Sequence, residues 1–113
     1  MSLPKRPSSG RTPEAITEKE MRWSITKAAQ ELGWLVSFAW TSIHSPRGLP
    51  DLTLVHPATH RLMYFELKSA KGKVTEPQQQ WLDALASCPG VIAMVIFPKD
   101  LETAYKLLVE VKE

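Results

Sequence analysis

GLPDLTLVHPATHRLMYFELKSAKGKV, residues Gly48 to Val74, decides how this chain folds. Asp51 to Val55 is a short β-rich run, His-Pro-Ala-Thr-His turns the chain, and Arg61 to Lys68 is a second such run. Together they predict a hairpin. Side chains alternate along a strand, so Leu62, Tyr64, Glu66 and Lys68 share one face while Met63, Phe65 and Leu67 share the other. An acid and a cation on an otherwise apolar strand are costly to desolvate. Asp51 opens the neighbouring strand near the end where Glu66 finishes. Two carboxylates converging from adjacent strands, with an ammonium beside them, make a hard-cation site suited to Mg²⁺ or Mn²⁺. Such an ion polarises a phosphoryl oxygen and acidifies a bound water. Lys68 would hold the attacking water or stabilise charge in the transition state. Pro50 fixes the backbone just before Asp51 and so helps to aim it.

Glu-x-Lys alone is a weak signal. The chain has a second copy at Glu110 and Lys112, and a salt-bridged pair at a strand end would also account for Glu66 and Lys68. The combination is what singles the stretch out: Gly-x-Pro-Asp opening one strand, fourteen residues, then Glu-x-Lys ending the next.

Working outward, Glu18 to about Leu32 has Met21, Ile25, Ala28 and Leu32 at helical spacing. Thr17 is the expected N-cap, Glu20 completes a capping box and Gly33 stops the helix. Trp34 to Trp40 predicts a first strand, and the Ser, Pro and Gly content of the next ten residues predicts a loop. After the quoted stretch, a helix capped by Thr75 turns Trp81, Leu82 and Leu85 inward. Val91 to Phe97 follows as a strand apolar throughout, expected to be covered on both faces. A last helix from Asp100 carries Leu101, Ala104, Tyr105 and Leu108 on one side. The helix between the third and fourth strands implies a parallel pair. Trp23, Trp34 and Trp40 could stack on bases or seal an interface, but packing in the core is the expectation, as is usual for tryptophan.

Residues 1–15 carry three prolines, three serines and the cations Lys5, Arg6 and Arg11, and read as a loosely attached basic arm. Residues 16–113 then form one domain with a modest core. The net charge of +2 permits a nucleic-acid partner, with Lys71 and Lys73 crowding after the motif. Cys88 is the only cysteine, which excludes an internal disulfide and suits a reducing, cytoplasmic compartment. The longest apolar run is far too short for a membrane span.

GLPD, then FELK, then KGKVTEPQQQWLDAL resembles the VRR-NUC branch of the PD-(D/E)XK nucleases, and the short chain resembles its stand-alone, phage-type members. The resemblance runs from about Thr17 to Val109. It implies a restriction-endonuclease-like α/β fold of order αβββαβα, with a mixed sheet of about four strands. It implies divalent-metal-dependent hydrolysis of DNA phosphodiesters by homodimers acting on branched DNA such as four-way junctions. Asp51, Glu66 and the main-chain carbonyl of Leu67 match the metal ligands of that pattern, and Lys68 matches its catalytic lysine. Glu18 matches the first-helix glutamate and Gln78 the helix glutamine. Glu20 is engaged by the capping position, which leaves Glu18 to face the site. Many relatives carry a histidine late in the first strand, where this chain has Phe38. Arg47, Lys71, Lys73 and His44 flank the motif and are candidate phosphate contacts. A non-catalytic nucleic-acid-binding module on the same fold is the alternative, and cleavage of RNA by the same chemistry a further one.

Overall fold

Thr17 and Thr75 decide where two of the helices begin. In the protein's structure, a computed structural model describing residues 12–39 and 47–110, each threonine hydroxyl accepts from the backbone amide three residues on. The side chain at that third position reaches back to the threonine amide, giving capping boxes Thr17–Glu20 and Thr75–Gln78. The helices are α1 (Glu18–Glu31), α2 (Glu76–Ala86) and α3 (Leu101–Val109). The strands are β1 (Leu35–Phe38), β2 (Leu52–His56), β3 (Arg61–Leu67) and β4 (Val91–Ile96). The order is therefore αβββαβα, a mixed four-stranded sheet flanked by helices. Expectations placed on Lys5, Arg6, Arg11, Trp40, His44 and Lys112 lie outside the described residues.

The sheet runs β1-β2-β3-β4, with β1–β2 and β2–β3 antiparallel and β3–β4 parallel. The pleat sorts the side chains. Leu52, Leu54, Met63, Phe65, Leu67 and Ile96 are buried on one face against Met21, Ile25, Ala28 and Ala29 of α1 and Leu101, Ala104, Tyr105 and Leu108 of α3. Full burial of each large apolar chain stabilises by about 1.5–3 kcal/mol. Inside this layer the Ser24 and Tyr105 hydroxyls bond to each other, so neither polar group is left without a partner. α2 lies on the other face, packed mainly on β4 and partly on β3. It leaves the β1–β2 part of that face uncovered, where the cross-strand partners Leu35 and Val55 are exposed.

β4 is a sheet edge, and only Ile96 on it is fully buried. Both of its faces are nonetheless covered, as expected, by α2 on one side and by the core on the other, where Ile92, Met94 and Ile96 pack. Two expectations change. Trp23 is 60% exposed on α1, away from the core. Residues 12–15, placed by sequence in the loose arm, contain a 3-10 turn (Pro13–Ala15) beside the second one at Pro98–Asp100. Ile16, which follows the first turn, is buried in the core.

Candidate active site

Strand register brings the two acids together. Leu52 pairs with Phe65, so Asp51 lies one step further along, opposite Glu66. Asp51 Oδ2 accepts a hydrogen bond from the backbone amide of Leu67 at 2.7 Å, which fixes its carboxylate across the end of β3. Glu66 itself is almost wholly buried, at 2% exposure. Its Oε2 accepts from Gln78 Nε2 at 3.0 Å and faces Lys68 Nζ at 3.7 Å. Its Oε1 is buried with no hydrogen-bond partner. An unpaired buried acceptor costs free energy unless something positive meets it.

The Glu66 carboxyl is raised from its ordinary 4.5 to about 7, first by burial and then by the negative charge of Asp51, with the Lys68 ammonium pulling the other way. The arrangement is thus short of positive charge. Of the two acids, Glu66 carries an orphaned buried oxygen and faces the Lys68 ammonium. That donor set fits a divalent cation, which would relieve both the like-charge repulsion and the missing contact.

One ladder bond and two loops hold this geometry. The Lys68 amide donates to the Ile96 carbonyl, which continues the β3–β4 ladder one residue past β3. Gly72 closes a turn on Ser69, and a methyl at its α-carbon would lie 3.3 Å from the Lys68 side chain, so the loop rests on the lysine stem. Gly48 has φ +85°, and a Cβ there would sit 2.4 Å from the backbone of Pro77. Only glycine lets the loop before Asp51 rest on the first turn of α2, the turn that presents Gln78.

Gln78 has two roles. Its Oε1 accepts from the Thr75 amide at 2.9 Å as a helix cap, while its Nε2 holds Glu66. Glu18 is exposed, and among the described residues no group of three or more His, Cys, Asp or Glu side chains is placed to hold a metal. Asp51 and Glu66 are therefore brought together and Glu18 is not joined to them. Glu20 is spent in the capping box, as expected. Arg47, Lys71 and Lys73 are all exposed on the loops around the site.

A cleft of about 470 Å³ opens beside the lysine loop, lined by Ala70 and Gly72, by Phe97, Pro98 and Lys99 after β4, and by Glu14. It lies beyond the carboxyl ends of the parallel pair β3–β4, where open α/β sheets receive ligands. Sequence reasoning missed Phe97, Lys99 and Glu14, because only the fold joins three such separate segments. The signal that would have found Phe97 is its position after a strand parallel to the motif strand.

The chain matches the family model for the VRR-NUC domain over residues 38–97. It is also similar to a solved structure described as a VRR_NUC domain, at 20% identity over 76% of this chain and 90% of that one, with a TM-score of 0.61. That likeness carries the fold. No curated protein matches the chain.

Proposed function

The chain belongs to the VRR-NUC family, a PD-(D/E)XK-like nuclease domain, and from that premise we propose that it is a divalent-metal-dependent endonuclease hydrolysing DNA phosphodiesters, structure-specific for branched DNA such as four-way junctions. The observation that carries this is the Asp51–Glu66 pair with its orphaned Oε1 and the Lys68 ammonium alongside. Asp51, Glu66 and the Leu67 carbonyl would hold Mg²⁺ or Mn²⁺, with Glu18 in an outer role. When bound, the ion supplies charge withdrawal from a phosphoryl oxygen and a more acidic water.

The protein's own residues do the rest. Asp51, tied to the Leu67 amide, presents a carboxylate in fixed orientation. Gln78, donating to Glu66 Oε2, holds that side chain in place, and its carboxylate would help to hold the ion. Lys68 places a positive charge where the pentavalent phosphorus gathers negative charge, and it orients the attacking water. Arg47, Lys71 and Lys73, with His44 from outside the described residues, bind flanking phosphates and set position rather than sequence.

A homodimer belongs to this reading, as in the phage-type form of the family, because two strands of a junction need two sites. The exposed Leu35 and Val55 on the uncovered sheet face offer a second copy an apolar surface. A cytoplasmic location completes the proposal, in keeping with the free, exposed Cys88. Among the described residues no helix is long and apolar enough to cross a membrane.

The test is a panel of linear, flapped and four-way DNA, with matching RNA, incubated with Mg²⁺, Mn²⁺ or chelator. Metal-dependent cutting of the four-way substrate, lost in Asp51→Asn, is expected. Cutting that persists in chelator, or in Asp51→Asn at the wild-type rate, overturns the proposal. Light scattering that returns only monomer with and without junction DNA removes the dimer.

A further inference from the structure

The outward side of α1 joins features that the site does not use. Trp23 is 60% exposed and Phe38, at the end of β1, is 51% exposed. With Lys19, Arg22, Thr26 and Lys27 they line a groove of about 260 Å³. The Arg22 guanidinium lies 5.5 Å from the centroid of the Phe38 ring, a cation–π contact that holds both at the groove wall. Among the described residues, Lys19, Arg22 and Lys27 form no ion pair with any carboxylate.

Two large aromatic faces open to solvent, flanked by three uncompensated cations, are a stacking platform with phosphate contacts built in. A second copy of the chain would bring the same three cations against these, so like charges oppose self-association through this face. Duplex DNA would meet the cations but keep its bases stacked on each other, leaving Trp23 and Phe38 unused. Phe38 pairs with Leu52 on the α1 face of the sheet, whereas Asp51, one residue before Leu52, lies with Glu66 on the α2 face, so the groove and the acids flank the same end of the sheet from opposite sides.

We propose that this groove binds single-stranded DNA, with bases stacking on Trp23 and Phe38 and phosphates held by Lys19, Arg22 and Lys27, so that an unpaired arm of a branched substrate is anchored on the side of the sheet away from Asp51. The proposal rests on the nuclease reading for its purpose, but not for its measurement.

The experiment measures binding of a fluorescent oligothymidylate to the full chain by anisotropy, in chelator, so that cleavage plays no part. Trp23→Ala is expected to weaken binding at least about fivefold, the loss of one base stacked on an aromatic ring, while Trp23→Phe retains most of it. Arg22→Gln and Lys27→Gln should each lower the slope of log affinity against log salt by about 0.7, the share of one single-strand phosphate. Trp23 is exposed, so an unchanged melting temperature checks that the variant is folded. Wild-type affinity for the oligomer in Trp23→Ala overturns the proposal, as does equal weakening for a blunt duplex. A loss of dimer in Trp23→Ala with unchanged oligomer binding assigns the groove to self-association and overturns it too. Cleavage by Asp51→Asn at the wild-type rate would defeat the nuclease reading and leave these binding results standing.

Discussion

Gln78 donates from Nε2 to Glu66 Oε2 at 3.0 Å while its own Oε1 caps α2 at the Thr75 amide. One side chain thus ties the start of a helix to the acid at the centre of the site. A substitution there has two separable effects. Gln78→Ala should cost about 1 kcal/mol of stability from the lost cap and lower kcat as well. Gln78→Glu restores the cap but sets a carboxylate against Glu66. Melting and steady-state rates on the same two proteins divide the roles: Gln78→Glu should melt near wild type and cut poorly. If it cuts as well as wild type, the Glu66 contact has no part in turnover.

Glu66 also makes stability depend on pH. Its carboxyl stands at about 7 in the folded protein against an ordinary 4.5, so between those values the folded state holds a proton that the unfolded chain releases. Stability of the metal-free protein therefore falls as pH rises through that window, by roughly 3 kcal/mol in all. In chelator, the melting temperature of wild type relative to Glu66→Gln should drop between about pH 4.5 and about pH 7 and level off above. Parallel curves for the two proteins would refute the account.

Lys68→Met removes the ammonium that faces Glu66 and the charge proposed to serve the transition state. Loss of a charged stabiliser typically lowers kcat by about a hundredfold or more. Calorimetry with Mn²⁺ separates this from a binding defect: Lys68→Met should still bind the ion, while Asp51→Asn should not, and Glu18→Gln should weaken binding less than Asp51→Asn. No heat from the wild type with either Mg²⁺ or Mn²⁺ would instead favour a non-catalytic nucleic-acid-binding module.

At Gly48 both the positive φ and the 2.4 Å approach to the Pro77 backbone forbid a side chain. Gly48→Ala should destabilise by about 2 kcal/mol or more. It should also depress cleavage, because relief of the clash displaces either Asp51 or Gln78. Wild-type melting in this variant would show that the loop has another way to pass.

Local rules explain why so much was legible beforehand. The alternation of Arg61 to Lys68 separated Glu66 and Lys68 from Met63, Phe65 and Leu67, and the hairpin then placed Asp51 opposite Glu66. Thr17 and Thr75 announced their helices through contacts within four residues. What stayed hidden depends on partners distant in the chain. An apolar run such as Val91 to Ile96 reads alike in the middle of a sheet and at its edge. Trp23 follows a core residue, Met21, by two positions, and only the direction of the α1 stripe turns it outward. Pro77 cannot be known to touch Gly48 until α2 has crossed the sheet.

The bond from the Leu67 amide to Asp51 Oδ2 has a consequence for ion choice. With one oxygen of Asp51 committed to the main chain and Glu66 Oε2 engaged by Gln78, neither acid is placed to chelate through both oxygens at once. Calcium, which favours six to eight oxygens and bidentate carboxylates, gains little from so sparse a set, whereas a smaller ion that keeps much of its hydration shell loses nothing. Discrimination by size would follow from a single peptide hydrogen.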